Sequence, residues 1–338
     1  MNYMRIIFKK FKARMIVGCI LAVIALLAVS VIVFINQASF GRTPRGERLE
    51  RVMKSPNYRN GEFKNQHETL LMTSDRGRFS GIWEFIFRKI DGLRPEQAVK
   101  AIKTDLRKIG RNEEILVWFG HSSYLIQTGG KRILVDPVFC MASSVSFVNK
   151  PFKGTELYTP DDMPDIDYLV ISHDHWDHLD YNTVKKLKDR IGAVICPLGV
   201  GEHFEYWGFD KERLIELDWN EDANLAPGFM IHCLPARHFS GRRLTANQSL
   251  WASFLLEAPS QKIYIGGDGG YDTHYAEIGN RFPGIDLAIL ENGQYNEEWS
   301  LIHLMPQYMA QTARDLKAKR VLTCLLYTSP SPRDRQKS

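Results

Sequence analysis

Cysteine is scarce and unpatterned in this sequence. The five residues fall at positions 19, 140, 196, 233 and 324, and no two form a C-x-x-C pair. An odd count, with Cys19 inside an apolar run, speaks against a disulfide framework, although a single bridge stays open. Internal repeats and low-complexity tracts are absent. So are a G-x-S-x-G elbow, a Walker A loop and a G-x-G-x-x-G dinucleotide turn, which leaves no motif for a serine nucleophile or a nucleotide cradle. Gly266–Gly270 is Gly-rich (GGDGG) but does not open a helix as a phosphate loop does. Acidic residues are missing from the first 14 positions, where Arg5, Lys9, Lys10, Lys12 and Arg14 by themselves equal the whole net charge of +5. The remainder is close to neutral, so the basic excess is no argument for nucleic acid, which calls for a basic face on the folded domain.

What is present is an ordinary globular mix, 44% apolar and 25% charged, with 18 Phe, 13 Tyr and 7 Trp to build a core. That excludes a disordered, collagen-like or coiled-coil chain. The 338 residues allow one large domain with extensions, or two domains.

Met15–Ile35 is a run of 21 residues without a charge, long enough to cross a hydrocarbon core of about 30 Å. A core helix rarely runs so far without a polar face. A cleaved signal peptide usually has a shorter apolar stretch ending in a small-x-small site, and Asn36–Phe40 (NQASF) offers a poor one. Val17-Gly18-Cys19 faintly resembles a lipoprotein cleavage site, but Cys19 begins the run when it ought to follow it. The reading is a single-pass anchor in the cytoplasmic membrane. The basic residues before it place the N-terminus in the cytoplasm and everything after it outside.

The expected organisation is a basic segment (1–14), the anchor (15–35), a tether and extension (36–112) and a catalytic domain (113–323). Within the extension, a helical turn or two is expected around Glu47–Met53. An apolar stretch at 79–90 suits an interfacial helix, although packing on the main domain is the better-weighted alternative. Pro95, Ala98, Ile102, Leu106, Ile109 and Gly110 have the spacing of a helix with its stop. From Glu114 onward, short β-rich runs alternate with helical ones. Strands are expected at Ile115–Phe119, Ser123–Gln127, Arg132–Val135, Tyr168–Ile171, Ala193–Cys196, Leu214–Leu217, Phe229–Leu234, Leu250–Glu257, Lys262–Ile265 and Leu287–Leu290. Helices are expected at Asn182–Arg190, His274–Phe282 and Pro306–Ala318. This alternation means an α/β layered domain.

The strongest chemical signal is Ile171-Ser172-His173-Asp174-His175-Trp176-Asp177-His178, directly after an apolar strand. Residues two apart on extended backbone project to one side, so His173, His175 and Asp177 converge, while His178 aims at a neighbouring point. Such a cluster has no structural purpose without a cation, and its donor set suits zinc. His238 and Asp268 also follow strands, the latter flanked by glycines that let backbone crowd a metal. Each alone would be unremarkable.

Taken together, the H-x-H-x-D-H run, a distant His and an Asp in a Gly-rich turn resemble the metallo-β-lactamase fold superfamily. Further stretches are similar to its branch of N-acyl phosphatidylethanolamine-hydrolysing phospholipase D and bacterial relatives. These are Trp118–Ser123 (WFGHSS), Leu134–Pro137 (LVDP), Pro235–Arg242 (PARHFSGR) and Gly267–Tyr271 (GDGGY). L-ascorbate-6-phosphate lactonases are more distant cousins. The likeness covers about Glu114 to Val321. It implies an α/β, metallo-β-lactamase-type αβ/βα sandwich with two zinc ions: His173, His175 and His238 on the first, Asp177 and His178 on the second, and Asp268 bridging. Asp177 and His303 are the implied catalytic pair, with a zinc-activated bridging water as nucleophile and His303 in proton transfer, a capping role being the alternative for His303. Asp136 would support the ligands from behind. His121 is balanced between that role and simple core packing. No role is assigned to His67, His203, His232 or His274.

One departure stands out. The family places a further His on the strand that Lys319–Thr323 begins, yet from Cys324 the chain reads CLLYTSPSPRDRQKS, without His or strand pattern. Residues 324–338 read as translated adapter or vector sequence joined to a truncated frame, with a divergent disordered tail as the alternative. On that reading the closing strands are missing and the second zinc site is incomplete. The expected function is a membrane-anchored zinc phosphodiesterase of phospholipase D type. Its partners would be a phospholipid-like or small phosphodiester substrate and the membrane, with no nucleic acid and room for a homodimer. The rivals are a lactone, β-lactam or other ester hydrolase, and a non-catalytic membrane-tethered zinc-binding module.

Overall fold

A computed structural model describes residues 2–73, 97–144, 151–292 and 297–324. It divides into two units, Met1–Phe40 and Gly41–Ser338. The first is dominated by α1 (Asn2–Ile35), whose Lys10–Ile35 stretch of 26 residues is long and apolar enough to span a membrane.

The second unit opens with α2 (Gly46–Lys54) and a two-stranded ribbon, β1 (Tyr58–Arg59) and β2 (Glu62–Phe63). Two six-stranded sheets follow. One has the order β3-β4-β5-β6-β7-β8: Ile115–Gly120, Ser123–Thr128, Lys131–Val135, Ile166–Val170, Ile191–Pro197 and Leu214–Leu217. The other has the order β14-β13-β12-β11-β10-β9, formed by β9 (Asp222–Ala226), β10 (Phe229–Leu234), β11 (Ser253–Glu257), β12 (Lys262–Ile265), β13 (Leu287–Glu291) and β14 (Val321–Cys324). The helices are α3 (Tyr181–Leu187), α4 (Gly201–Tyr206), α5 (His274–Arg281) and α6 (Pro306–Asp315).

Alternation along the strands decides the layering. Tyr124, Ile126, Ile133, Val135, Phe254, Leu256, Ile263 and Ile265 point between the sheets into one shared core. Their neighbours Leu125, Leu134, Leu169 and Val194 turn outward to meet Val184, Leu187 and Phe204 from α3 and α4. Leu255, Tyr264, Ala288 and Leu290 do the same against Tyr275, Ile278 and Leu316. Both sheets are therefore apolar on both faces, and helices cover each outer face: an αβ/βα sandwich.

Strand direction then gathers the strand ends. Strands β5, β6 and β7 are parallel. In the second sheet β10 and β12 each pair antiparallel with β11, and β12 runs parallel to β13, so these three share a direction. The carboxyl ends of β5, β6, β10, β12 and β13 carry the chemistry described below.

The hairpin β4–β5 turns at Gly129 and Gly130, both at positive φ (51° and 77°), as a tight hairpin turn requires. Sequence spacing also predicts a helix over 95–110, and there the structure differs. Among the described residues of that stretch only a single 3-10 turn forms, Leu106–Lys108, started by the Asp105 side chain accepting from the Arg107 N–H. The Thr104 N–H is taken by the Tyr158 hydroxyl (2.8 Å), and Ile102 stays exposed. Tertiary contacts thus override a helical period. The 79–90 stretch lies outside the described residues. Strands β1, β2 and β9 and helix α4 were not anticipated.

Helix α2 docks through charge. Arg48 donates to Glu216 (2.6 Å), Glu202 (2.7 Å) and Glu205 (2.9 Å), with Glu202 buried and Arg48 half-buried. Removing Arg48 would leave the largely buried Glu216 carboxylate without its cation, while Glu202 keeps Arg42 (2.6 Å). Arg48→Ala is expected to lower unfolding free energy by about 3–5 kcal/mol in a denaturant titration. Arg48→Lys should recover only part of that, since a single ammonium lacks the spread donors of the guanidinium, which meets Glu216 with Nε and Glu202 and Glu205 with Nη1. Parent stability in Arg48→Ala would contradict the buried-clasp account.

Candidate metal centre

The loop after β6 is built to turn back on itself. Ile171 still pairs with β7, its N–H on the Ile195 carbonyl (2.9 Å), and the His178 and Leu179 N–H groups then close onto the His175 carbonyl (3.1 and 2.8 Å). Two supports hold this loop from behind. Asp174 accepts from the Gly241 N–H (2.8 Å), the Ser249 hydroxyl (2.9 Å) and His203 Nε2 (3.2 Å). Buried Arg242 donates to the carbonyls of Asp174 (3.2 Å) and Leu179 (2.6 Å) and lies over the Trp176 ring. Opposite, the Gly267 turn brings Asp268 in. A Cβ on Gly267 would meet the Ser172 side chain at 2.7 Å, and its φ is +61°, so only glycine allows that approach.

Hydrogen bonds on the outer side of the rings fix which nitrogen faces inward. His238 Nδ1 donates to the Ile302 carbonyl (2.7 Å), and His178 Nδ1 donates to Asp136 (2.8 Å). Asp136 also accepts from the Ser172 hydroxyl (2.6 Å) and N–H (2.8 Å). With its proton spent on Asp136, the Ser172 oxygen accepts from His173 Nδ1 (2.9 Å). The inward-facing groups are then His173 Nε2 and His238 Nε2, which lie 2.8 and 3.3 Å from His175 Nδ1. This arrangement of outer partners is the one that orients imidazoles as metal ligands.

The structure groups these atoms in overlapping sets, each within 4.8 Å: His173, His175 and His238; His121, Asp177 and His178; His173, His178 and Asp268; and Asp268, Glu291 and His303. Every site residue expected from the sequence is in one of these sets or, like Asp136, directly behind one. His121, at φ +47°, presents Nε2 to Asp177 (3.2 Å). His303 Nδ1 lies 3.7 Å from Asp268 and 2.8 Å from Glu291. Glu291 was missed from sequence. Its signal was available, since it ends an apolar strand just as Asp136 closely follows one. Asp174, His203 and Arg242 were not readable as supports, because their partners lie up to 161 residues away.

Electrostatics favours a cation here. Burial and the crowding of like rings push the His173 and His238 pKa values well below the ordinary histidine value, and burial lowers His175 too, so these rings stay neutral and can donate lone pairs. Burial opposes charge on Asp268, yet facing His178 and His303 hold its carboxyl well below its usual range. Burial likewise opposes charge on His178, but Asp268 and Asp136 on either side raise it well above normal. The His178 Nε2 and Asp268 Oδ1 atoms sit 3.2 Å apart, and these and His175 Nε2 are buried with no hydrogen-bond partner among the described residues. Buried polar atoms are rarely left so. The carboxylates demand positive charge, and a divalent cation meets that demand more fully than a proton. The donor set of imidazole nitrogens and carboxylates fits zinc.

Comparison with known proteins bears on the family and the fold. The family model described as a beta-lactamase superfamily domain matches residues 131–324. An uncharacterized protein of Mycobacterium tuberculosis is 38% identical over 269 residues, covering 78% of this chain and 71% of the relative. The N-acyl-phosphatidylethanolamine-hydrolyzing phospholipase D 1 of Caenorhabditis elegans is 30% identical over 219 residues, 60% of either chain. Among solved structures, CmlA, a diiron beta-hydroxylase from Streptomyces venezuelae, aligns with a TM-score of 0.50 at 19% identity, covering 64% of this chain and 46% of that one. That last likeness shows the fold alone. The chain spans less than two thirds of the last two relatives.

Asp136 tests the outer support. Asp136→Asn keeps the shape but offers an amide donor toward donors, so it should weaken metal binding about 10–100-fold with far-UV circular dichroism unchanged. Chelator competition reads the affinity. Parent affinity would show that Asp136 does not orient His178.

Proposed function

The chain belongs to the metallo-β-lactamase superfamily, and from that premise we propose that this metal-dependent hydrolase is a zinc phosphodiesterase of phospholipase D type. The observation that carries the reading is the position of Asp268. It belongs both to a set with His173 and His178 and to a set with Glu291 and His303, each within 4.8 Å, and lies 4.0 Å from His238 Nε2. In this reading His173, His175 and His238 hold one zinc, Asp177 and His178 a second, and Asp268 both. Zinc bound there would supply an activated water at neutral pH and offset the charge of a phosphoryl group. The resemblance to a phospholipase D supports the choice of bond.

The chain's own residues do the rest. His121 and Asp136 orient Asp177 and His178 by hydrogen bonds. His303 is suited to hand a proton to the leaving oxygen. Burial opposes its charge, but Glu291, and then Asp268, raise its pKa to about 9. Phe239 packs on His175 (4.4 Å between centroids) and Trp299 lies beside His303 (6.1 Å), which gives the site apolar neighbours suited to a lipid. We read α1 as a single-pass anchor in the cytoplasmic membrane, N-terminus inside and catalytic unit outside.

A substrate panel tests the choice of bond. A bis-aryl phosphodiester and N-acyl phosphatidylethanolamine vesicles should be cleaved, and a lactone and a chromogenic cephalosporin left intact. The opposite pattern would replace the phosphodiesterase reading with that of a lactone or β-lactam hydrolase. Asp268→Ala should abolish turnover and loosen both metals; retained activity would overturn its placement.

The His303 assignment has a pH signature. A raised pKa means the proton is held below about 9 and lost as pH rises through that value. Replacing Glu291 with Gln removes the largest partner that raises it. The alkaline limb of the kcat profile should therefore move to lower pH in Glu291→Gln, toward the ordinary histidine value of about 6.5. An unmoved limb would remove His303 from proton transfer.

A further inference from the structure

Residues 41–69 precede the family-matched stretch 131–324, yet they belong to the same compact unit as the metal centre. Val52 and Phe63 are fully buried in the core between the sheets. Beyond that core contact, the segment reaches the loops that carry the site at three places.

The most specific contact is Asn65. Its Nδ2 donates to the His238 carbonyl (2.7 Å), while its Oδ1 accepts from the His238 N–H (3.1 Å) and from the Trp251 indole (3.1 Å). One side-chain amide thus pairs with both backbone groups of a single residue, as a neighbouring strand would, and fixes the peptide planes on either side of the His238 Cα. The ring is tied on its outer side at Nδ1, to the Ile302 carbonyl. With backbone and Nδ1 both held, Nε2 has one direction left, toward His175. Asn65 is in turn anchored, because the Phe63 N–H donates to the Asn247 carbonyl (2.9 Å) and the Lys64 N–H to the Asn57 carbonyl (2.9 Å).

The flanking contacts repeat the pattern. Arg237, the residue before His238, donates to the Thr69 hydroxyl and the Glu68 carbonyl, both at 2.9 Å. At the other end of the segment the Arg42 N–H donates to His203 Nδ1 (3.0 Å). His203 Nε2 then donates to Asp174, which lies between His173 and His175.

The geometry points to Asn65 as a positioning residue for the metal centre, and to segment 41–69 as a working part of that centre and not only a spacer. The inference rests on the reading of His238 as a metal-holding residue. Asn65 acts through the His238 backbone and touches no reacting atom. Loss of such an outer support lowers metal affinity by about 10–100-fold in comparable sites.

The test uses the full chain in detergent, stripped of metal and titrated with zinc against a chromogenic chelator. Visible absorption of the cobalt(II)-loaded protein reports ligand geometry. Asn65→Leu should weaken zinc binding about 10–100-fold and alter the cobalt bands, with the metal-free melting temperature within a few degrees of the parent. Asn65→Asp keeps the acceptor and loses the donor, so it should fall between the two. His238→Ala is the control for the premise and should lose a metal outright. If Asn65→Leu binds zinc and cobalt like the parent while His238→Ala does not, Asn65 has no positioning role. If Asn65→Leu fails to fold, parent behaviour in Asn65→Asp overturns the inference equally. If His238→Ala also binds like the parent, the premise falls and the inference with it.

Discussion

Everything at the open edge of this sandwich depends on one electrostatic constraint. Imidazole nitrogens and carboxylate oxygens are pressed within a few ångströms of each other and withdrawn from water. Left to themselves such groups repel, take up protons or stay unpaired, and each outcome is costly in a buried site. Here the surrounding chain makes the arrangement permanent. Asp136, Ser172 and Ile302 take the outward protons of the rings, while Asp174 and Arg242 hold the loop that carries four of the groups. The framework keeps lone pairs facing inward, which is the condition for gripping divalent cations.

The fold explains why so many distant residues meet there. Parallel strands send their carboxyl ends to one edge, and functional groups placed just beyond those ends converge without any loop having to travel far. His173, His238, Asp268 and Asp136 all follow strands, and Glu291 ends one. The same topology buries both faces of each sheet, so the edge is a place where polar groups can gather without breaking the core. The shared core between the sheets makes that edge rigid, because neither sheet can move without disturbing the other's inward side chains.

Legibility in the sequence followed distance along the chain. The run from His173 to His178 was readable because its residues are adjacent and follow a plain β-strand, so strand geometry alone aims them. His238 and Asp268 were readable only as members of a family pattern, since a lone His after a strand is commonplace. The layered architecture followed from alternating strand and helix periods. The expected helix over 95–110 failed because its apolar period was real but tertiary partners claimed the backbone: the Tyr158 hydroxyl took the Thr104 N–H, and Leu106 and Ile109 met the core while Ile102 stayed exposed. Asn65, Asp174, Arg242 and Glu291 act through partners that the fold supplies, and nothing local marks an asparagine in a polar tether as the brace of a histidine 173 residues away.

We propose that this edge holds divalent metal, with zinc as the expected ion. The most direct measurement is the metal content per chain of the purified full-length protein by inductively coupled plasma mass spectrometry, after dialysis against zinc and removal of loosely held ion. The account predicts at least one firmly held zinc per chain, lost when His173 and Asp268 are replaced together. A protein that retains no zinc after that treatment would contradict it.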